Sequence, residues 1–229
     1  MSVLVLEAAS APVSRARPVT LEARDLGHRY GRRVGLVPVS FELASPRVVA
    51  VTGSNGAGKS TLLRIVAGLL RPSQGGTIVT LDGRTVAPAL RPRWVGYAGP
   101  ELSFYGELGV AENLVFAAAA RGLPAGPVRV AESLRRVGLS SRATDPVAAL
   151  SSGMLQRLRL AFALLHQPSL LLLDEPGSHL DDEGRAVLQS IVEEQGRLGL
   201  VMIATNDERE WELAEQRIDL AGRGLGHPA

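Results

Sequence analysis

The chain has 229 residues, no cysteine and a formal net charge of +2. Its length allows one large α/β domain with a full hydrophobic core, and the absence of cysteine excludes disulfides and thiolate metal sites. A charge this close to neutral gives no indication of nucleic-acid binding, and because no run of 18 apolar residues occurs, the sequence predicts no membrane-spanning helix.

The first part of the chain predicts a mostly β structure. Residues 1–19 lack a basic start and a long apolar centre, so they predict a disordered extension and not a secretion signal. Residues 20–43 alternate apolar and polar residues, as antiparallel strands do. Residues 48–52 are a short β-branched run suited to a buried parallel strand, residues 61–70 predict the following helix, and residues 76–83 predict another strand.

The middle of the chain changes to helical periodicity. Ala-rich and Leu/Arg-rich repeats dominate from about residue 107 to residue 165. Residues 170–173 and 200–204 return to the composition of buried strands, with a helix between them at residues 183–195. These segments predict a nucleotide-binding α/β core at 20–98 and 166–222, an inserted helical subdomain at 99–165, and a short tail at 223–229.

Arginine occupies every strongly basic position except one. Several arginines come in close pairs, among them Arg32 with Arg33 and Arg91 with Arg93. Such pairs usually mark solvated faces, and contact with acidic lipid or a partner protein is the alternative.

The only lysine, Lys59, lies inside a complete match to the phosphate-binding pattern GxxxxGK[ST]. A compact ammonium fits between β- and γ-phosphate oxygens where a planar guanidinium does not. The match joins the predicted strand to the predicted helix, whose N-terminus and backbone N–H groups attract phosphate, and Ser60 Oγ can hold Mg²⁺. The predicted phosphate-binding residues are Gly53, Ser54, Asn55, Gly56, Ala57, Gly58, Lys59, Ser60 and Thr61.

Two acidic residues, Asp174 and Glu175, follow the apolar run at residues 170–173. They are expected at the carboxyl end of a buried strand beside the phosphate-binding loop. Asp174 is a candidate to bind Mg²⁺ through water, and Glu175 is a candidate to orient and deprotonate a water near the γ-phosphate. A plain loop start or helix cap is the alternative for this pair, but the upstream phosphate loop favours the catalytic interpretation.

With these motifs the chain closely resembles the ATP-binding cassette (ABC) family over about residues 20–221. Residues 150–157 are similar to the family's signature segment, and residues 178–181 are similar to the loop that follows the acidic pair. Tyr30 matches the family's aromatic residue that stacks on adenine. Without this context, a lone tyrosine more often lies in the hydrophobic core or on the surface without stacking on a ligand. A Ser-Ser-Gly sequence is likewise an ordinary helix cap.

The resemblance implies an α/β P-loop NTPase of the ABC ATPase type, with a mixed-sheet nucleotide-binding lobe, an antiparallel β part and an inserted helical lobe. It implies ATP and Mg²⁺ as cofactors, with Lys59 and Glu175 catalytic and with Ser60 and Asp174 at the metal. It also implies a head-to-tail dimer, homodimeric or heterodimeric, in which ATP on one subunit meets the signature segment of the other. The residues that would act in trans are Ser151, Ser152 and Gly153.

Three positions depart from the family pattern. Pro100 stands where the family places a glutamine that contacts Mg²⁺, and proline cannot supply that ligand. Asn206 stands at the catalytic position of a histidine that contacts the γ-phosphate, and asparagine cannot carry a protonic charge. Met154 replaces the usual glutamine of the signature. These departures predict an active but slow ATPase, with a catalytically weakened binding-only subunit as the alternative.

The resemblance implies that the chain works with transmembrane permease subunits, as a peripheral protein on the cytoplasmic face of the inner membrane. The exposed-looking Phe104, Tyr105 and Leu108 correspond to the family's surface for a coupling helix of the membrane subunit, and local core is the alternative. Among cassettes, the chain is most similar to the haem exporter ATPase of cytochrome c maturation and to other small exporters. A soluble ABC ATPase that does not transport is the remaining alternative, and no nucleic acid is expected as a partner.

Overall fold

In a computed structural model the chain builds two β-sheets and a helical part, and the structure describes residues 17–124, 126–221 and 224–226. The strands are β1 (Val19–Tyr30), β2 (Arg33–Ala44), β3 (Arg47–Thr52), β4 (Gln74–Leu81), β5 (Arg84–Thr85), β6 (Val95–Ala98), β7 (Leu170–Asp174), β8 (Leu200–Ala204), β9 (Gln216–Asp219) and β10 (Gly224–Gly226). The α-helices are α1 (Lys59–Val66), α2 (Val110–Ala120), α3 (Gly126–Arg136), α4 (Ser152–Leu164), α5 (Asp182–Leu198) and α6 (Glu208–Trp211).

The first sheet is antiparallel and has the strand order β2-β1-β4-β5. Alternate residues of β1, including Val19 and Leu21, are buried while their neighbours are exposed, as expected for a sheet with one solvated face. The sequence predicted these antiparallel strands. Its assignment of residue 19 to the N-terminal extension is wrong, because Val19 is buried and pairs with Leu81 of β4.

The second sheet has the order β10-β9-β3-β8-β7-β6, and all neighbours from β9 to β6 run parallel. Every residue of β7 and β8 is buried, which explains why these strands are continuous apolar runs. Because β8 separates β3 from β7, the loops that follow these three strands emerge side by side at one edge. That edge brings together the phosphate-binding loop, Asn206 and the acidic pair after β7.

Two hydrophobic cores cover the two faces of the parallel sheet. Alternate residues divide between them: Leu171 and Leu173 pack with the helical part, whereas Leu170 and Leu172 pack with α1 and the antiparallel sheet. The helical part contains α2, α3 and α4, which confirms the helical character predicted for this region. No helix in the described part of the chain combines the length and apolar character needed to cross a membrane.

The first helix ends earlier than its sequence predicts, because Gly68 adopts a left-handed conformation with φ 78°. A Cβ atom there would lie 2.2 Å from the carbonyl oxygen of Pro88, so glycine is required at this close approach. At the other end of the chain, Gly224–Gly226 forms β10, so part of the segment assigned to a tail belongs to the sheet. Residues 1–16, assigned to the extension, lie outside the described residues.

The position of Arg91 contradicts the prediction that the paired arginines lie on solvated faces. Its side chain is fully buried, and its guanidinium donates to the carbonyl oxygens of Val66 and Thr77 and to the Thr77 hydroxyl. These bonds satisfy a carbonyl at the C-terminal end of α1, where helix carbonyls lack intrahelical partners. Burial lowers the pKa of Arg91. Arg91 therefore fixes the end of the helix that begins at the phosphate-binding loop.

Candidate nucleotide-binding site

The phosphate-binding loop runs from the end of β3 to the start of α1, as the sequence predicts. Gly58, the residue before the helix, has φ 105°, and a Cβ atom there would lie 2.5 Å from the carbonyl oxygen of Gly35. Only glycine fits this backbone against β2. The N-terminal end of α1 therefore opens directly into the loop, where its unpaired N–H groups can bind an anion.

Lys59 is buried, and its ammonium group lies inside the loop. Lys59 Nζ donates to the carbonyl oxygen of Gly53 at 2.8 Å and to Asn206 Oδ1 at 2.9 Å. It also lies 3.8 Å from Glu175 Oε1. The single lysine is thus held between the phosphate-binding loop and the loops that follow β7 and β8.

Ser60 and Asp174 form the pair that the sequence proposed for Mg²⁺. Ser60 Oγ donates to Asp174 Oδ1 at 3.0 Å, and Asp174 Oδ2 is buried without a hydrogen-bond partner among the described residues. Burial raises the pKa of Asp174, while the bond from Ser60 and the charge of Lys59 oppose the rise. A hydroxyl beside an unsatisfied carboxylate oxygen is a donor set that fits Mg²⁺.

Glu175 follows Asp174 in a left-handed conformation, with φ 49°, which is uncommon for a residue with a side chain. Its backbone N–H donates to the carbonyl oxygen of Ala204, and its side chain is 37% exposed. Burial is the largest cause of a raised pKa for Glu175; Asp174 adds to it and Lys59 opposes it. A carboxylate with a raised pKa is a better proton acceptor, which suits a general base.

A cleft of about 290 Å³ joins these groups to the antiparallel sheet. The cleft contains the predicted residues Tyr30, Asn55, Gly56, Gly58, Lys59, Ser60, Thr61 and Glu175. Gly53, Ser54 and Asn206 line a second cavity, and Ala57 packs against the core. The antiparallel sheet and the phosphate-binding loop together line the 290 Å³ cleft.

Comparison with protein-family models matches residues 36–178 to the ABC transporter model. The chain belongs to the ABC transporter family. It is an ABC ATPase domain, and ATP and Mg²⁺ are its cofactors.

Several known proteins are similar to this ABC domain. The linearmycin resistance ATP-binding protein of Bacillus subtilis is 32% identical over 209 residues, which cover 89% of this chain and 67% of that protein. The Fe(3+) ions import ATP-binding protein of Streptomyces coelicolor is 44% identical over 188 residues, covering 80% of this chain and 53% of the relative. The chain therefore spans between about half and two thirds of the length of these relatives.

Solved structures support the same fold. An ATP-binding subunit of an ABC transporter superposes with a TM-score of 0.77 and 29% identity, covering 90% of this chain and 89% of the other. A dimeric ATP-binding cassette bound to ADP and Pi superposes with a TM-score of 0.74 at 23% identity, and that likeness concerns the fold alone. These comparisons confirm the fold class that the sequence predicted.

Tyr30 lies at the rim of the cleft, at the end of β1. Its hydroxyl is 3.5 Å from Thr61 Oγ1, and the edge of its ring meets His28 with 4.5 Å between ring centroids. The ring is 45% exposed, so one surface remains open to a planar group. Stacking of this ring on adenine stays a prediction.

The signature segment lies away from the cleft of its own chain. Ser151 Oγ accepts from the backbone N–H of Met154 and so caps α4, while Ser152 is exposed and Gly153 is half-buried. None of these three residues lines the 290 Å³ cleft. From the following turn, Gln156 Nε2 donates to the carbonyl oxygen of Pro176 at 3.1 Å, which ties α4 to the loop after Glu175.

Two of the three substituted family positions, Asn206 and Pro100, are held by hydrogen bonds. Asn206 Oδ1 accepts from Lys59, and Asn206 Nδ2 donates to Asn55 Oδ1 at 2.8 Å. The carbonyl oxygen of Pro100 accepts from Arg159 Nη2 at 3.1 Å, so this residue binds through its backbone and presents no polar side chain.

Two arginines in the cleft were not among the predicted site residues. Arg33 lines the cleft near Gly56, although its pair with Arg32 predicted a solvated face. Arg64 lines it from α1, four residues after Ser60. Since residues i and i+4 share a helix face, the position of Arg64 was readable from the sequence. The position of Arg33 depends on how the antiparallel sheet packs on the loop, which no local pattern contains.

Proposed function

We propose that this chain is the ATP-hydrolysing subunit of a membrane transporter and that Lys59, Ser60, Asp174 and Glu175 perform the chemistry. The observation that carries the proposal is the 3.0 Å bond from Ser60 to Asp174 beside the buried Lys59, with Ser60 and Lys59 both lining the cleft. Two separate parts of the sequence, the start of α1 and the end of β7, supply these groups. Their convergence supports a site built for a phosphate chain with a divalent cation.

When bound, ATP with Mg²⁺ supplies the scissile phosphoanhydride bond and a charge that neutralises the phosphates. Lys59, now bonded to Gly53 and Asn206, would bind phosphate oxygens. Ser60 and Asp174 would hold the metal with the hydroxyl and the unsatisfied carboxylate oxygen. The N–H groups at the start of α1 would bind phosphate as hydrogen-bond donors.

Glu175 acts as the general base in this proposal. Its carboxylate oxygen Oε1 lies 3.8 Å from Lys59 Nζ, so it is close to the group that would bind the phosphates. Glu175 would orient the attacking water and accept its proton. The raised pKa of Glu175, caused mainly by burial, strengthens this carboxylate as a proton acceptor.

Turnover is expected to be slow. Asn206 places a neutral amide where the family has an imidazole, and Pro100 offers no side-chain ligand. The existing bond between Asn206 and Lys59 also has to break when a phosphate arrives. These features support a weakened ATPase, and a subunit that only binds ATP is the second candidate.

The exposed signature segment supports a head-to-tail dimer. Ser151 and Ser152 reach solvent at the N-terminus of α4, and they do not serve the cleft of their own chain. A helix N-terminus with two hydroxyls can bind the γ-phosphate of ATP held by a second subunit. Either a homodimer or a heterodimer satisfies this geometry.

A groove in the helical part supports a permease partner. This aromatic groove has a volume of about 420 Å³ and is lined by Leu102, Phe104, Tyr105, Phe116, Arg121 and Phe162, among others. Tyr105 and Phe116 meet edge to face at 5.6 Å and are 56% and 55% exposed. Large exposed rings around a concave surface suit an amphipathic helix of a membrane subunit. The chain would then sit peripherally on the cytoplasmic face of the inner membrane.

We propose export as the transport direction, with haem export for cytochrome c maturation as the specific candidate. This direction comes from the sequence resemblance to small exporter cassettes, and the name of the similar linearmycin resistance protein states no direction. The relatives reported above also include an iron importer, and neither relative is named as a haem exporter. The identity of the cargo therefore has to be determined from the permease partner.

Affinity capture from native membranes tests the transporter assignment. Tagged chain is isolated from detergent-solubilised membranes with Mg-ATP and without nucleotide, and bound proteins are identified by mass spectrometry. We expect a polytopic membrane protein, lost in a Tyr105→Asp/Phe116→Asp variant. The matched control is Val128→Asp, which changes an apolar residue that is 71% exposed on α3 outside the groove.

The identity of the captured protein separates haem-exporter components from another permease. Capture of soluble proteins, ribosomes or DNA complexes alone, with the cassette folded, would contradict a transport function and favour a soluble ABC ATPase.

A further inference from the structure

A strained turn carries the chain out of β7 immediately after the metal-binding residue. Glu175 has φ 49° and His179 has φ 65°, so two residues with side chains adopt the left-handed conformation within five positions. Such a conformation is sterically costly and persists only where neighbouring groups hold it. The contacts of the residues between these two therefore help to fix the backbone from which the Glu175 side chain enters the cleft.

Glu210, on the short helix α6, packs directly against this turn. Its side chain is buried, and its Oε1 occupies the space where a Cβ atom on Gly177 would lie. Gly177 itself lies outside the left-handed region. The Glu210 carboxylate, and not the backbone conformation, therefore excludes a side chain at position 177, and the carboxylate contacts the main chain of the turn.

The Glu210 carboxylate also joins the turn to the loop that follows β8. Burial raises the pKa of Glu210, and hydrogen bonds from the Thr205 side chain and from the Gly177 backbone oppose that rise. Thr205 is fully buried, and its backbone N–H donates to the carbonyl oxygen of Val51 in β3 at 3.2 Å. Glu210 thus anchors the turn to the edge of the parallel sheet.

One peptide group of the turn is bound at both ends. The carbonyl oxygen of Pro176 accepts from Gln156 Nε2 of α4 at 3.1 Å, and the N–H of Gly177 meets the Glu210 carboxylate. These two groups belong to the same planar peptide unit, in which the carbonyl oxygen and the N–H point in opposite directions. Gln156 and Glu210 therefore hold the Pro176–Gly177 peptide from opposite sides and prevent its rotation.

We propose that Glu210 is a positioning residue for ATP hydrolysis, which locks the peptide group next to Glu175 and so keeps the Glu175 carboxylate in the cleft. Without Glu210, the buried Gly177 N–H loses its acceptor, and the left-handed conformation of Glu175 loses a contact that holds it. Glu210 acts on the reaction only through Glu175. This inference rests on the proposed role of Glu175 as general base.

Single-turnover hydrolysis by the full chain, with protein in excess over Mg-ATP, tests this role. Affinity for a fluorescent ATP analogue is measured separately. We expect Glu210→Ala to slow hydrolysis roughly ten- to a hundredfold, because the general base loses its position, while affinity changes by less than about threefold, because the phosphate-binding loop is untouched. A residue that only supports the fold would not separate rate from affinity in this way.

Two further variants of α6 make the test specific. Glu210→Gln keeps an oxygen that can accept from the Gly177 N–H, so its rate should stay within about threefold of the unchanged protein. Glu208→Ala is the matched control, because Glu208 is an exposed carboxylate on the same helix and lines no part of the cleft. Its rate and its affinity should equal those of the unchanged protein.

Gly177→Ala tests the same contact from its other partner. The new Cβ atom would collide with the Glu210 carboxylate, so this variant should also hydrolyse ATP slowly and bind the analogue normally. In a Glu210→Ala background the collision is absent, so adding Gly177→Ala should cause little further loss, since residues in direct contact give non-additive effects. If circular dichroism shows that Glu210→Ala is poorly folded, Gly177→Ala and Glu210→Gln carry the test.

The outcomes separate this inference from the function on which it rests. An unchanged rate in Glu210→Ala or Gly177→Ala, or equal losses of rate and affinity, would overturn the positioning role. A rate in Glu210→Gln as low as in Glu210→Ala would also overturn it, because the bond to Gly177 would then not be what matters. An unchanged protein that binds the analogue without hydrolysing ATP would instead contradict the proposed ATPase, and the role of Glu210 with it.

Discussion

Asn206 Oδ1 accepts a hydrogen bond from Lys59 Nζ at 2.9 Å, across the edge where β3 and β8 end. The amide nitrogen of Asn206 donates to Asn55 of the phosphate-binding loop, so the Asn206 side chain is hydrogen-bonded to both Lys59 and Asn55. A neutral amide can orient the lysine in this way, but it cannot supply positive charge to a phosphate. We therefore expect asparagine at this position to limit the rate of hydrolysis.

We expect Asn206→His to raise steady-state ATP turnover roughly tenfold, because an imidazole can bring positive charge to the transition state. Turnover is measured by phosphate release at saturating Mg-ATP. Asn206→Gln keeps an amide and serves as the control, so it should stay as slow as the unchanged protein. Equal turnover in all three proteins would show that Asn206 does not limit the rate.

Glu175→Gln should lower turnover by a factor of roughly 10² to 10⁴, because the amide cannot accept the proton of the attacking water. ATP affinity should be retained, since the phosphate contacts of Lys59 and the loop remain. Single-turnover hydrolysis and equilibrium binding of an ATP analogue measure the two effects separately. Glu212→Gln, a change at an exposed position outside the cleft, is the control.

A binding-only subunit would give a different pattern. In that case the unchanged protein, Glu175→Gln and Lys59→Ala would share one negligible rate, and only the lysine variant would lose ATP affinity.

Arg91→Met should destabilise the fold by about 2 to 4 kcal/mol, because it removes the hydrogen bonds that the buried guanidinium donates to the carbonyl oxygens of Val66 and Thr77. Urea unfolding followed by circular dichroism measures this loss. Arg93→Met changes an exposed arginine of the same turn and should have an effect below about 0.5 kcal/mol. Equal effects of the two substitutions would contradict a structural role for the buried guanidinium.

His166 should make the stability of the protein depend on pH. Burial, with a contribution from Arg121, lowers the pKa of His166 to about 4, and its ring nitrogens are buried without partners among the described residues. The folded protein keeps the ring neutral, whereas the unfolded chain binds a proton below about pH 6.5. The contribution of His166 to the free energy of unfolding is therefore fully present above about pH 6.5. It decreases by up to about 1.4 kcal/mol per pH unit as the pH falls toward 4.

Urea unfolding between pH 7 and pH 4.5 checks this dependence. His166→Leu removes the titrating ring, so its stability should fall less steeply over the same range, while the carboxylates contribute equally to both proteins. Parallel pH profiles would show that His166 titrates normally in the folded state.

The sequence by itself determined the local elements whose causes are local. The runs at Leu170–Asp174 and Leu200–Ala204 were identified as buried strands because continuous apolar β segments have few other solutions. The phosphate-binding loop was identified because its glycines, lysine and hydroxyl each answer a separate requirement of phosphate binding, and that combination seldom arises by chance. The helical character of the middle of the chain followed from its periodicity.

Only the tertiary structure decided which distant residues meet. It placed β8 between β3 and β7, which brings Asn206 to Lys59, and it buried Arg91 where the sequence predicted solvent. It also paired Arg64 of α1 with Glu101, which lies 37 residues later in the chain. Hydrophobic periodicity specifies which face of an element is buried, but the partner of a polar side chain depends on how several elements pack, and that information is absent from any one segment.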